Sequence, residues 1–502
     1  MFETVELGKK VGKSEYNERL EAVRPELLRV QRELENTNCP VIVIVAGVDA
    51  SGKGSVVNRL NEWFDTRGIE TRVFWDETDE ERERPRYWRF WRALPPRGKI
   101  GVHFGGWYQY PLNECYTRNI TDISFDLEMD RIRRYEQMLA RDNALIIKLW
   151  YHLPEKEQKH RLEELKRDDR SRWKMTPKLS KHSAHYHAYT QTAERMIRLT
   201  DTGSVPWTMI EATDTRHRDL TTAEHMLQVI QSRLDRMKQS SAGNVDNEDT
   251  ALHVNRETLL DHVDLSRTLE KTTYRKQLSK LQEQINELIW EAYNRKLSTV
   301  LVFEGADAAG KGGSIRRITN AIDARLYRAI SVAAPTDEER AHHYLWRFWR
   351  AIPRAGYTSI YDRSWYGRVL VERVEGFATD HEWRRSYNEI NEFEEQLAES
   401  NTLVLKFWFQ IDQDEQLKRF KLREQTPRKQ HKITDEDWRN REKWDEYESA
   451  INEMIARTST SYAPWHIIPG NDKKFARVET LKILKNALKS ALKAHEKLHE
   501  KD

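Results

Sequence analysis

The chain carries the same segments twice at one fixed spacing. Val41–Gly54 (VIVIVAGVDASGKG) returns as Thr299–Gly312 (TVLVFEGADAAGKG), and the offset of 258 that takes Lys53 to Lys311 also takes WRFWR at Trp88–Arg92 to Trp346–Arg350. The same offset carries Lys148-Leu149-Trp150 onto Lys406-Phe407-Trp408 and Pro206-Trp207 onto Pro464-Trp465. A constant offset between such distant anchors implies two homologous domains with no net insertion between the anchors. The period lies far above the roughly 20–50 residues of solenoid repeats, so each copy is expected to be a complete domain with its own core. Gln239–Thr250 (QSSAGNVDNEDT) is polar, lacks apolar periodicity and carries turn formers. It sets the expected boundaries: a first repeat over 1–238, a linker over 239–252 and a second repeat over 253–502.

Each half reads as α/β. Leu278, Leu281, Ile285, Leu288 and Ile289 recur at helical spacing, and the β-branched run Thr299–Phe303 ends at Gly305. Ile360-Tyr361, Leu403–Phe409 and His466–Ile468 are further short apolar runs between helical segments, the pattern of a parallel, doubly wound sheet. Between Phe409 and His466 the stretches Gln416–Lys432 and Asp435–Glu448 are too charged for a core. Two readings stay open there, a solvated helical hairpin or a lid over the site.

Charge decides which functions are out of reach. The 84 Lys and Arg against 81 Asp and Glu give a net charge of +3, too balanced for a nucleic-acid coat or a polybasic membrane binder. No apolar run reaches the ~18 residues of a membrane span. Met1–Lys10 has no secretory signal pattern, and Cys39 and Cys115 are the only cysteines, so a reducing cytoplasm is expected.

The strongest chemical signal is Gly305–Gly312 (GADAAGKG), between a predicted strand and a predicted helix. In that context Gly305, Gly310 and Gly312 let backbone N–H groups turn onto phosphate oxygens, the helix presents its positive end, and Lys311 reaches the transferring phosphoryl group. Gly312 stands where a Ser or Thr hydroxyl ordinarily holds Mg²⁺, so Asp307 inside the loop is the natural substitute. Asp362, at the carboxyl end of a predicted strand and followed by Arg363, is the expected second carboxylate. The first half tests this internally: it keeps Gly47, Gly52 and Lys53 but places Phe104 at Asp362, Gly105 at Arg363 and Tyr110 at Arg368. It is expected to be catalytically silent.

These residues resemble the polyphosphate kinase 2 family, in particular its two-domain members. The resemblance is carried by Gly305–Gly312, Trp346–Arg350 (WRFWR), Asp362–Arg368 (DRSWYGR) and Tyr462-Ala463-Pro464-Trp465, and extends through both repeats. It implies a P-loop kinase-like fold with a helical lid, duplicated in tandem, with Mg²⁺ as cofactor and inorganic polyphosphate as donor to a nucleotide. In two-domain members it further implies AMP as acceptor, ADP as product and catalysis by the second repeat. The family's lid pattern resembles a Trp-Lys pair, which here is His431-Lys432, with Trp173-Lys174 in the first half.

A polyanionic donor needs a basic track, and the second repeat offers Arg316, Arg317, Arg347, Arg350, Arg363 and Arg368, with Arg419, Arg423, Arg428, Lys429 and Lys432 from the lid stretch. Breaking one phosphoanhydride to form another implies a reversible reaction. The partners expected are polyphosphate and AMP or ADP, with no nucleic acid and no membrane; a homo-oligomer is compatible with the sequence. Two rivals remain, an ATP-dependent nucleoside monophosphate kinase and a non-enzymatic polyphosphate- or nucleotide-binding protein. His182, His185 and His187 lack partners at metal-ligand spacing. The rings of Tyr344–Trp349 fit helix packing better than base stacking, and Glu77–Arg84 and Lys482–Lys497 read as solvated helix faces.

Overall fold

The computed structural model describes residues 1–74, 76–167, 185–240, 260, 262–427, 430, 433 and 435–499. All but the first two residues of the expected linker lie outside the described residues, as do Trp173, Lys174, His182, Arg428, Lys429, His431 and Lys432.

Two compact units form. The first is built on five parallel strands, β1 (Val41–Gly47), β2 (Ile69–Val73), β3 (Ile100–Phe104), β4 (Leu145–His152) and β5 (Trp207–Glu211), in the order β2-β3-β1-β4-β5. The second repeats that order with β6 (Ser298–Gly305), β7 (Tyr327–Ser331), β8 (Thr358–Asp362), β9 (Thr402–Gln410) and β10 (Trp465–Pro469), read as β7-β8-β6-β9-β10. Register is repeated too: Val45 pairs with Phe104 as Phe303 pairs with Asp362. The doubly wound α/β reading therefore holds for both halves.

The unit limits add something the linker does not reveal. Thr78–Arg89 packs with the second unit and Asp337–His343 with the first. Both segments contain the tetrapeptide Asp-Glu-Glu-Arg, at Asp79–Arg82 and Asp337–Arg340, each a short helix. Within the second unit Glu83 accepts from Arg354 at 2.5 Å, and within the first the Ala341 carbonyl accepts from the Arg97 amide at 2.7 Å.

In the second unit one sheet face is closed by helices Lys271–Asn294 and Lys473–His499, which bury Leu281, Ile285, Ile289, Leu481, Leu484 and Leu488 against Leu301, Phe303, Leu405 and Phe407. Lys482–Lys497 is thus only half a solvated face, because Leu484, Leu488 and Leu492 return every turn to the core. The other face is aromatic. Trp349 and Trp365 meet Phe393 edge-on at 5.0 and 4.8 Å, so the rings of Trp346–Trp349 pack as expected rather than stack on a ligand.

At the centre of that aromatic layer Lys406 points from the middle of β9 with no solvent exposure. Its ammonium donates to Glu394 Oε2 at 2.7 Å, to the Tyr366 hydroxyl at 2.8 Å and to the Thr458 carbonyl at 2.7 Å. Glu394 Oε1 takes Trp365 Nε1 at 3.0 Å and the Tyr366 hydroxyl at 2.8 Å. The first unit builds the same cage from Lys148, Glu136, Trp107, Tyr108 and Thr200. Burial pushes the ammonium pKa of both lysines down, and the paired carboxylate opposes that shift. Every donor and acceptor being met, breaking one partner is costly. Lys406→Met is expected to cost about 3–5 kcal/mol in urea denaturation, and Lys406→Met with Glu394→Gln to recover at least half of it. A loss below about 1 kcal/mol for the single variant would show that the cage carries little.

Candidate functional site

The site forms where β6 runs into the glycine-rich loop. Gly305 closes the strand so tightly against β9 that a Cβ there would sit 2.7 Å from the Phe409 carbonyl oxygen, and Gly310 enters the next helix at φ +113°. Neither position takes a side chain without strain. Helix Lys311–Thr319 then starts with its free N–H groups turned to the loop. Lys311 Nζ folds back onto the Gly305 carbonyl at 2.5 Å, as Lys53 Nζ does onto Gly47 at 2.6 Å.

The loop is braced from behind. Arg419, expected on the donor, is instead buried and committed elsewhere: Nη1 donates to the Ala308 and Ala309 carbonyls at 2.9 Å and Nη2 to those of Gly470 and Asn471 at 2.7 and 2.8 Å. Its Nε donates to Glu415 at 2.6 Å. Arg161 makes the matching set to Ala50, Ala212, Thr213 and Glu157 in the first unit. A guanidinium fork suits this task because it reaches several carbonyls in one plane.

Two cavities open from the loop. One is a cleft of about 570 Å³ lined by Lys311, Arg316, Arg317, Arg363, Arg423 and Arg477, against Asp307, Asp362 and Asp437. Six cations face three carboxylates, and no aromatic ring occurs among the described residues of its lining. The other is apolar and aromatic, walled by Leu260, Leu370, Val371, Trp408, Trp444, Tyr447 and Ile451, with Glu304, Gln410 and Glu448 as polar points. Asp307, Lys311, Arg363 and Asn440 line both.

Asp307 sits at that junction, its Oδ1 3.3 Å from Arg363 Nη2 and its Oδ2 accepting from Asn440 Nδ2 at 3.0 Å. Asn440 comes from helix Asp435–Glu442, in the charged stretch that sequence left between hairpin and lid. That stretch folds as helices Gln413–Glu424, Asp435–Glu442 and Trp444–Thr458, and it is only partly solvated, since Phe420, Ala450, Met454 and Ile455 are buried. Asp362 ends β8 and lines the cationic cleft. Arg363 follows at φ +63°, a left-handed conformation costly for a side chain of its size.

Of the other expected phosphate ligands, Arg316 and Arg423 line the cleft, whereas Arg347, Arg350 and Arg368 line neither cavity. Arg347 donates to the Ala333 carbonyl at 3.1 Å, Arg350 lies 4.5 Å over the Trp346 ring, and Arg368 pairs with Glu372 at 3.2 Å. Lys429 and Lys432 lie outside the described residues. Sequence reading missed Arg477, which the C-terminal helix brings to the loop from far down the chain, and Glu304. The latter is buried at the loop's entrance, accepts from Ser364 Oγ at 2.7 Å, and has its pKa raised by burial against the opposing pull of Lys311. Both were findable from the offset, which sets Asp219 opposite Arg477 and Ala46 opposite Glu304.

In the first unit the counterparts of the six cleft cations are Lys53, Asn58, Arg59, Gly105, Leu165 and Asp219, two cations instead of six. At the place matching the aromatic cavity Phe2 stacks on His152 at 4.4 Å and on Trp150 at 5.7 Å, and the Tyr189 hydroxyl donates to the Gly47 carbonyl at 3.3 Å. Of the three histidines weighed as a metal cluster, His185 and His187 are described, and no group of three metal-ligating side chains occurs among the described residues.

A parallel five-stranded sheet with its glycine-lysine loop at the carboxyl end of the central strand defines a P-loop kinase-like protein, duplicated. The model of polyphosphate kinase 2 (PPK2) matches residues 10–238 and 268–496, and the chain belongs to that family. It is 45% identical over 489 residues to the polyphosphate:AMP phosphotransferase of Pseudomonas aeruginosa (strain PAO1), covering 97% of this chain and 98% of that one. A protein of the same description from Acinetobacter johnsonii is 37% identical over 473 residues, 92% of this chain and 95% of that one. The crystal structure of a putative polyphosphate kinase 2 from Pseudomonas aeruginosa PA01 superposes with a TM-score of 0.87 at 44% identity, covering 98% of this chain and 99% of that one.

The bracing role of Arg419 is testable by comparing the two units. Arg419→Met and Arg161→Met are each expected to destabilise the protein by about 2–4 kcal/mol in chemical denaturation. If Arg419 served the substrate instead, Arg419→Met would remove turnover and leave stability unchanged.

Proposed function

We propose that the second unit transfers a phosphoryl group from inorganic polyphosphate to AMP, forming ADP. The observation that carries this reading is the pair of unlike cavities meeting at Asp307, Lys311 and Arg363. The cationic cleft suits a chain of phosphates, and the aromatic cavity suits a nucleoside, whose base gains most from Trp408, Trp444 and Tyr447. An ATP donor would bring a second base, for which the cationic cleft offers no ring among its described residues. The full-length likeness to polyphosphate:AMP phosphotransferases points the same way.

In this reading the donor chain lies along Arg316, Arg317, Arg423 and Arg477, and its end reaches the loop. Loop amides and Lys311, leaving the Gly305 carbonyl, hold the phosphoryl group as charge spreads over its oxygens. The AMP phosphate is already ionised, so no general base is needed; it is aligned by Arg363. Asp307 and Asp362, two oxygen donors in one cleft, fit Mg²⁺, which prefers one or two carboxylates together with phosphate oxygens and water. The ion would neutralise developing phosphate charge. One phosphoanhydride bond is exchanged for another, so the reaction runs in both directions, and ADP in excess yields polyphosphate and AMP.

The first unit is proposed to be catalytically silent, with Phe104 and Gly105 in place of the Asp-Arg pair. The repeats are taken to divide at the linker over 239–252. No described helix is long and apolar enough to cross a membrane, and the two cysteines are free and buried, in keeping with a cytoplasmic protein. Incubation with AMP, Mg²⁺ and either polyphosphate or ATP tests the donor. ADP is expected to form rapidly with polyphosphate and at most at about 1% of that rate with ATP, a difference worth roughly 2.7 kcal/mol in the barrier. Equal or faster turnover with ATP would contradict the reading.

A further inference from the structure

Arg363 has to be at once a cation and the corner of a turn. Its guanidinium lies 3.3 Å from Asp307 Oδ1, while its backbone, at φ +63°, occupies a region that only glycine enters freely. The first unit makes the same corner with Gly105 at φ +82° and Gly106 at φ +52°. The corner is anchored alike in both units, the Arg363 amide donating to the Phe303 carbonyl and the Gly105 amide to the Val45 carbonyl, each at 3.1 Å.

What differs is the next residue. Ser364 accepts from the Tyr366 amide at 3.2 Å and donates through Oγ to Glu304 Oε1 at 2.7 Å, both side chains being buried. In the first unit both partners are missing: Ala46 stands at Glu304 and Gly106 at Ser364. Around them the scaffold is unchanged, since Trp107, Tyr108, Glu136 and Lys148 keep the cage that Trp365, Tyr366, Glu394 and Lys406 form. The sheet and the cage therefore do without the Glu304–Ser364 bond. It is present where the corner carries a charged side chain and absent where the corner is glycine.

We propose that Glu304 is a positioning residue, which acts through its hydrogen bond with Ser364 to hold the strained Arg363 corner so that the guanidinium stays on Asp307 between the two cavities. A buried carboxylate next to Asp307 and Asp362 adds like charge to the site, and burial already raises its pKa; it is kept as an acceptor. The inference rests on the phosphoryl-transfer reading and adds to it a residue that acts through Ser364 and Arg363 rather than on the phosphoryl group itself.

Steady-state assay of the full chain with polyphosphate, AMP and Mg²⁺ tests it. Wild-type protein that forms no ADP would remove the reading on which the inference rests. Given an active wild type, Glu304→Ala and Ser364→Ala are each expected to lower kcat about 10- to 100-fold, with KM for either substrate within about threefold. Glu304→Gln, whose amide oxygen still accepts from Ser364, is expected to recover most of the kcat that Glu304→Ala loses. The Glu304→Ala, Ser364→Ala double variant is expected to be no slower than the slower single one, because both break one bond. Glu304→Gln as slow as Glu304→Ala, or losses that multiply in the double variant, would overturn the proposal. Should Glu304→Ala fail to fold, Ser364→Ala and Glu304→Gln decide alone: a wild-type Ser364→Ala or an inactive Glu304→Gln overturns it.

Discussion

A lysine ammonium buried in the middle of a sheet governs the layout of each half of this protein. Lys406 is tolerable there only because Glu394 meets it at 2.7 Å and every remaining donor finds an acceptor. The carboxylate in turn draws Trp365 and Tyr366 inward. With those two residues fixed, the chain leaving β8 has to turn at once, and Asp362 and Arg363 are left at the carboxyl end of the sheet beside the glycine-lysine loop. The first unit obeys the same constraint through Lys148 and Glu136, and its turn presents Phe104 and Gly105 instead. Scaffold and chemistry are therefore separable: the cage persists in both halves, the charged corner in one.

The arginines show how little a balanced net charge says about a site. Some are structural, like Arg419 behind the loop. Others lie over rings, like Arg350 on Trp346 and Arg373 on Trp383. A further group is gathered in one cleft, where Lys311 and five arginines converge from the loop helix, the β8 corner, the charged stretch and the C-terminal helix. Their mutual repulsion is offset by Asp307, Asp362 and Asp437 and is relieved further when a polyanion enters.

The features that could be read in the sequence are those with local or periodic causes. Strand and helix follow from residue spacing, the loop from Gly305, Gly310 and Lys311, and the duplication from one offset. The Asp362–Arg363 pair was legible because its absence at Phe104–Gly105 marks it. Features set by tertiary competition were not. Whether an arginine meets phosphate or carbonyl depends on which groups fold nearest to it, so Arg419 and Arg423, four residues apart on one helix, have opposite surroundings. Arg477 reaches the loop only because a helix more than a hundred residues downstream packs there, and the aromatic cavity draws Leu260, Trp408 and Trp444 from separate segments. The grouping of Thr78–Arg89 with the second unit and of Asp337–His343 with the first is likewise a matter of packing and has no signal in the linear sequence.

Because both halves keep the loop lysine on its scaffold, the most direct measurement compares them in one chain. Lys311→Ala should abolish ADP formation from polyphosphate and AMP, lowering kcat by about 1000-fold or more. Lys53→Ala should retain kcat within about twofold of wild type, with both variants folded by circular dichroism. Equal losses would show that the two glycine-lysine loops share the chemistry and would contradict the account.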